Sequence, residues 1–376
     1  MDLIIQGGTV IDPATGLHAR SDVAITDGRI VAVEPHIGLG GATEVLDATD
    51  LLVVPGLIDL HVHVYWGGAD LSILPGPHDL ERGVTTIADA GSSGANNFAG
   101  FRRFLIEPFE GTILAYLNIA VMGQADPVLG ELHDIRYAIV DRAVEVAKAN
   151  RDLIVGLKVR VSEQLAGRNG VEAVARAVEA GIEIGCPVMV HIGGSYAPIE
   201  DILSQLRAGD IVTHAFTAWE PGIFDSDLRV IPSALEARAR GVLFDVGHGA
   251  GSFAFRRGEA ALADGFRPDT ISSDLHRFNV NGPVFDLLTT MSKYLHLGLP
   301  LDDVLAMTTV APAAALGRSG EMGRLAVGAA ADIAVLRLDE GRFPFVDSIG
   351  TIIEGRQRLA PVATFKRGRR ILPAER

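Results

Sequence analysis

Two histidines one residue apart, His61 and His63, close the apolar run Gly56-Leu57-Ile58-Asp59-Leu60-His61-Val62-His63. Side chains alternate along a strand, so a His-x-His pair at its end presents two imidazoles on one face, where both can reach one cation. Val53, Val54, Leu57, Ile58 and Leu60 make the run apolar on both faces, the pattern of a parallel strand covered by helices on one side and by core on the other. Pro55 and Gly56 mark its start. Two histidines can also simply end a core strand, so the chemistry rests on what else shares that end.

The elements that must position them read as alternating strands and helices, the signature of parallel βα units. Eight strands are expected: Leu57 to His63, Val84 to Asp89, Ile113 to Val121, Ile154 to Val159, Pro187 to His191, Asp210 to His214, Val242 to Val246 and Thr270 to Asp274. Helical periodicity lies in Ile135 to Ala149, Gly170 to Gly185, Pro232 to Arg240 and Val284 to Leu297. This is an α/β pattern, and it predicts a (β/α)8 TIM-type barrel with its site at the C-terminal ends of the strands. Before and after it the signals are short strands and turns, with Asp27-Gly28 marking a hairpin. Residues 1–52 and 320–376 are each too small to close a core, so together they predict one β-sandwich beside a barrel of residues 53–319.

At one rim of such a barrel, strand one ends in His61 and His63, strand four in Lys158, strand five in His191, strand six in His214 and strand eight in Asp274. Each has an ordinary structural use alone, but independent uses would not gather at the same end of five strands. Lys158 in Gly156-Leu157-Lys158-Val159 is the informative member, because an ammonium would repel any metal that four histidines imply. Two readings remain for it. It is a neutral amine acting as a Schiff-base nucleophile, or its nitrogen has added carbon dioxide to become a carbamate able to bridge two cations.

Length and composition bound the rest. The 376 residues are 48% hydrophobic, enough for a large core. With 33 Lys plus Arg against 47 Asp plus Glu, the net charge of −14 argues against nucleic acid or an anionic membrane as a partner. Cys186 is the single cysteine, so no internal disulfide forms and a reducing compartment suits the chain. The N-terminal residues lack the pattern of a secretory signal, and no charge-free apolar stretch is long enough to span a membrane; a cytoplasmic location is expected. A homo-oligomer is expected only from the general habit of enzymes.

The His-x-His strand preceded by Pro55-Gly56-Leu57-Ile58-Asp59, with Lys158, His191, His214 and Asp274 on later strands, resembles the amidohydrolase superfamily. Gly323-Arg324-Leu325-Ala326-Val327-Gly328-Ala329-Ala330-Ala331-Asp332-Ile333 is similar to that superfamily's entry into its small β domain. Gly156-Leu157-Lys158-Val159-Arg160 and Ser272-Ser273-Asp274-Leu275-His276 resemble its deacetylase or dihydroorotase-like branch of binuclear metallohydrolases. The resemblance implies that His61, His63 and Asp274 hold the more buried of two divalent ions, that His191 and His214 hold the more exposed one, and that Lys158, carboxylated to N6-carboxylysine with carbon dioxide or bicarbonate, bridges them. Zinc is the expected metal; iron, manganese and nickel stay open. The implied activity is hydrolysis of a small N-acyl amide or O-acyl ester at a C–N bond other than a peptide bond, or at an ester. Metal-bound hydroxide attacks, and Asp274 serves as general base and acid. The alternative is a cyclic amidohydrolase opening a dihydroorotate, hydantoin or lactam ring.

Substrate contacts are expected from Arg160 and His276, each two residues beyond a ligand, from Tyr65 and Trp66 as an aromatic wall, and from His248 in Gly247-His248-Gly249-Ala250-Gly251-Ser252. For Arg160 a salt bridge at the barrel rim is an equal expectation. Met122 to Asp134 reads as a lid. A non-catalytic assembly protein on the same scaffold is disfavoured because all six ligands are present. A lysine-dependent aldolase would need Lys158 free.

Overall fold

A computed structural model describes residues 1–372. The N-terminal segment forms β1 (Leu3–Asp12), β2 (Leu17–Thr26), β3 (Arg29–Glu34), β4 (Glu44–Asp47) and β5 (Leu52–Pro55). The middle of the chain carries β6 (Leu57–Val62), β7 (Val84–Gly94), β8 (Thr112–Asn118), β9 (Ile154–Arg160), β10 (Val188–His191), β11 (Ile211–Thr213) and β12 (Leu243–Phe244). The C-terminal segment adds β13 (Ile333–Val346), β14 (Ile352–Lys366) and β15 (Arg369–Ile371).

Strands β6 to β12 pair in sequence order, all parallel, into a curled seven-stranded sheet. Both faces are buried, as the continuous apolar runs require. Ile58, Leu60, Ala88, Ala90, Leu114, Tyr116 and Met189 pack together on one side. Leu57, Val62, Ile87, Ile113, Leu117, Leu157, Val159 and Val190 join the larger cluster, which includes the apolar stripes of helices Val140–Ala149 and Gly170–Ile184.

The eighth expected strand departs from prediction. Thr270 to Asp274 forms no regular ladder, meeting its neighbours through single bridges, Asp245 with Thr270 and Val62 with Leu275. Its backbone still accepts from the Val246 amide at Thr270 O (3.1 Å) and from the His248 amide at Ser272 O (3.2 Å), and side-chain bonds add to these. Ser272 and Ser273 hydroxyls donate to Asp245 and Asp59, and the Ser273 amide donates to Asp59. Asp274 itself sits at φ 50°, a left-handed conformation that cannot continue a strand. Two helices are also shorter than expected: Ile135–Tyr137 is a single 3₁₀ turn before Val140–Ala149, and Leu287–His296 begins where the Asp286 carboxylate accepts the Thr289 amide.

The remaining strands form a separate, mainly antiparallel sheet in the order β15-β14-β13-β5-β1-β2-β3, with β4 on β1. Strand β5 joins the ends of the chain, running antiparallel to β13 and parallel to β1. Leu3, Ile5, Val23 and Val53 share one apolar cluster with Ile333, Val335 and Phe365, so neither end buries its apolar face alone. The Asp27-Gly28 hairpin forms as expected between β2 and β3. Buried Lys366 fastens this sheet to the parallel one, donating to Thr85 O at 3.2 Å, Thr112 Oγ1 at 2.8 Å and Asp332 Oδ2 at 2.7 Å.

Candidate metal centre

His61 and His63 leave β6 with both imidazoles on the same face, and both reach one oxygen of Asp274. His61 Nε2 lies 3.2 Å and His63 Nε2 3.0 Å from Asp274 Oδ1. The three side chains are buried, and one ligand atom from each lies within 4.8 Å of the others, a set able to hold a metal ion. The backbone explains the convergence: the Asp274 amide donates to His61 O at 2.7 Å and the His63 amide to Leu275 O at 3.0 Å. His214 stands beside them with its ring 5.1 Å from that of His61, and His191 packs edge-on to His214 at 4.3 Å. His214 and Asp274 are both left-handed, at φ 68° and 50°, strain held in place by the surrounding bonds.

Lys158 enters this group from β9, fully buried, with Nζ 3.3 Å from His61 Nε2 and 3.4 Å from Met189 Sδ. Gly91 makes room for it, since a Cβ there would lie 2.6 Å from both Cβ and Cγ of Lys158. Burial pushes the Lys158 amine down to about 7. Burial first, and then neighbouring cationic groups, Lys158 for His61 and His63 and His214 for His191, hold these three imidazoles well below the usual range. Burial carries His214 down to about 4. The imidazoles are therefore neutral at pH 7, the form that binds metals.

Hydrogen bonds show which nitrogen each ring leaves free. His214 Nδ1 donates to Gly247 O at 2.6 Å, leaving the Nε2 lone pair. His63 Nδ1 meets Ser92 Oγ at 3.0 Å, which directs Nε2 to the cluster. His191 is reversed: its Nε2 is 2.9 Å from Ser162 Oγ, and that hydroxyl gives its proton to Gly193 O at 2.6 Å, so Nε2 donates and Nδ1 keeps the lone pair. Four neutral imidazoles, a carboxylate and a buried amine with no carboxylate partner among the described residues suit borderline divalent cations, provided the amine becomes an anion.

The expected substrate contacts divide. His276 is at the site, its ring 6.2 Å from His63, with Nδ1 accepting the Phe278 amide so that Nε2 carries the proton. Arg160 is spent. Its Nε and Nη2 hold both Glu131 oxygens at 2.6 and 2.7 Å, and both residues are buried. Glu131 belongs to the stretch expected to be a lid, which this pair and the Leu132 amide bond to Leu165 O tie down. Removing one partner of a buried pair leaves a buried charge, so Arg160→Met is expected to destabilise the protein by about 3–5 kcal/mol. Urea unfolding reads that loss; an unchanged midpoint with a raised KM would make Arg160 a substrate anchor instead.

His248 is turned away. Its ring packs on Phe253 at 4.7 Å, and its Nε2 accepts from buried Lys293 Nζ at 2.7 Å. Tyr65 packs on Phe101 and donates to Asn97 O at 3.1 Å, whereas Trp66 is exposed beside Leu74 and Arg277. An aromatic residue that sequence reasoning missed, Trp219, shares a cavity with His191. With Ser162, His191, Thr217, Gly251 and Ser252 it lines a cavity of about 460 Å³. A separate cleft of about 900 Å³ opens among Arg151, Cys186, Arg207 and Leu243 near the N-terminal ends of the strands and includes none of these ligands. Sequence reasoning also passed over Asp59, Asp89 and Asp245, although a carboxylate inside an apolar strand is itself a signal.

A curled parallel sheet with neutral histidines, a carboxylate and a buried lysine gathered at one end is an α/β scaffold carrying a site able to hold a metal ion. The chain belongs to the Amidohydrolase family, which it matches over residues 52–371. It is 39% identical over 327 residues to a deacetylase of Agrobacterium fabrum, covering 87% of this chain and 80% of that protein. It is 32% identical over 370 residues to a deacetylase of Enterococcus faecalis, covering 96% and 97%. Among solved structures it superposes on a dihydroorotase with a TM-score of 0.91 at 37% identity, covering 98% of each chain. It superposes on an adenine deaminase with a TM-score of 0.92 at 31% identity, covering 98% of this chain and 99% of that one. These relatives bear three different activity names, so the shared scaffold leaves the substrate to local detail.

Proposed function

We propose that this amidohydrolase is a binuclear metal-dependent deacetylase acting on a small N-acyl amide or O-acyl ester. The observation that carries the reading is the convergence of His61, His63 and Asp274 within 4.8 Å, with Lys158 Nζ 3.3 Å from His61 Nε2. His61, His63 and Asp274 would hold one ion and His191 and His214 the other, with Lys158 as N6-carboxylysine, formed with carbon dioxide or bicarbonate, shared between them. Zinc suits this donor set. When bound, the two cations supply Lewis-acid activation of the scissile carbonyl and of the attacking water.

The chain's own residues supply positioning and proton transfer. Asp274 Oδ1 lies 3.2 and 3.0 Å from Nε2 of His61 and His63, on the side a shared cation would occupy, while Oδ2 accepts no hydrogen bond among the described residues. Oδ2 therefore takes the proton of the attacking water and passes it to the departing nitrogen or oxygen. Gly249 lies against that oxygen: a Cβ there would stand 2.5 Å from Asp274 Oδ2, and its φ is 57°. Gly249→Ala displaces the proton carrier and is expected to lower kcat about a hundredfold with metal content retained; steady-state kinetics of the metal-loaded variant with kcat unchanged would contradict it. The substrate enters beside His191 and Trp219, with His276 Nε2–H available to a substrate oxygen.

The reading extends to the architecture. Residues 53–319 are proposed as a closed (β/α)8 barrel, supported by the bridges of the eighth segment to Asp245 and Val62 on the two free edges. Residues 1–52 and 320–376 are proposed as the composite β-sandwich, supported by their shared apolar cluster; residues 373–376 lie outside the described ones. No helix among the described residues is long and apolar enough to cross a membrane. A cytoplasmic site of action fits the lone Cys186.

Zinc-loaded protein assayed against a panel of N-acetyl amino acids, O-acetyl hydroxy acids and cyclic imides tests the activity. Hydrolysis of the open-chain acyl compounds is expected. Turnover confined to dihydroorotate or hydantoin would replace this reading with the ring-opening one.

A further inference from the structure

We infer that Thr213 and Asp245 form a positioning relay that fixes the tautomer of His61, an inference resting on the reading that His61 ligates metal. Asp245 is fully buried beyond β12, and hydroxyls from both sides converge on it. Oδ2 accepts from Thr213 Oγ1 and from Ser272 Oγ, each at 2.7 Å, and Oδ1 from Thr270 Oγ1 at 2.7 Å. Thr213 Oγ1 also lies 2.9 Å from His61 Nδ1, while the carboxylate is 3.9 Å from that nitrogen.

A hydroxyl has one proton to give. Because Thr213 gives its proton to Asp245, it can only accept from His61, so Nδ1 carries the proton and Nε2 presents its lone pair to Asp274 and Lys158. Without an acceptor behind it, the same hydroxyl could turn and donate to Nδ1, placing the proton on Nε2 and closing the nitrogen that would ligate. The direction of the relay is set by the hydroxyl pattern: Ser272 and Thr270 already point their protons at Asp245, so a carboxylate at that position can act only as acceptor. Partners behind a ligating histidine affect both metal affinity and ligand basicity. Here the partner reaches the ring through an intervening threonine.

The test compares Thr213→Val, which exchanges the hydroxyl for a methyl at nearly constant volume, with Thr213→Ser, which keeps the hydroxyl. Each is loaded with cobalt(II), and affinity is measured by chelator competition with the visible absorption of the bound ion as a second readout. The relay predicts that Thr213→Val loses about 10- to 100-fold in affinity with an altered cobalt spectrum, and that Thr213→Ser matches wild type. Thr213→Val binding cobalt like wild type, or Thr213→Ser as weak as Thr213→Val, would overturn it, the second because keeping the hydroxyl would then give no protection and any change of side-chain shape at 213 would weaken binding. If Thr213→Val fails to fold by circular dichroism, Thr213→Ala carries the same comparison, since it removes the hydroxyl and inserts nothing. Wild-type protein that binds no cobalt would overturn the metal reading itself and the relay with it.

Discussion

Asp274→Asn is expected to fold, to keep most of its metal and to lose turnover by about 10²- to 10⁴-fold. The amide retains an oxygen for the Nε2 edge of His61 and His63, but it can neither take a proton from water nor return one to a leaving group. The backbone around it is preserved, because Asn279 Nδ2 donates to Asp274 O at 2.7 Å and the Asp274 amide to His61 O, and neither bond involves the carboxylate. Asparagine also tolerates the left-handed φ of 50° found there. The measurement is kcat on protein whose metal content has been determined. A metal-replete variant with near-wild-type kcat would remove Asp274 from proton transfer.

Lys158→Met is expected to act in opposite directions on stability and on activity. The amine is fully buried beside His61 Nε2 and Met189 Sδ with no carboxylate in contact among the described residues, and burial lowers it from 10.5 to about 7. A thioether of similar length removes that penalty, so the metal-free variant is expected to be about 1–4 kcal/mol more stable than metal-free wild type, the range for replacing buried charge by apolar groups. The sign with pH follows from the lowered pKa. Between pH 7 and 10.5 the unfolded lysine holds a proton that the folded one releases, so wild-type stability rises with pH. The advantage of methionine is therefore largest below pH 7 and fades toward 10.5. Metal binding and hydrolysis should be abolished, because no carbamate can form. Urea titrations of both metal-free proteins at several pH values, with metal analysis after reloading, check both halves; a destabilised metal-free variant would show that the amine has a structural role.

The metal-capable residues were legible because each signal is local. His-x-His at a strand end uses the two-residue period of the strand, and Lys158 stands out as a cation within an apolar run. The same locality explains what was not legible. The two-residue offset placed Arg160 on the correct face of β9 but could not reveal Glu131, 29 residues away in a loop without periodicity. The glycines around His248 suggested an open loop, yet its ring is held by Lys293, 45 residues later on a helix. Strand eight was expected at Thr270 to Asp274, but that segment meets its neighbours through single bridges and Asp274 turns left-handed at φ 50°, which a hydropathy pattern does not record. Tyr65 and Trp66 followed the histidines in sequence without lining the cavity at His191, whereas Trp219, distant from any motif, does.

The measurement that bears most directly on the central claim is an anomalous-scattering crystal structure of protein loaded with zinc in the presence of bicarbonate. Two anomalous peaks are expected, one at His61, His63 and Asp274 and one at His191 and His214, with added density on Lys158 Nζ reaching both. A single peak beside a bare Lys158 amine would contradict the binuclear account.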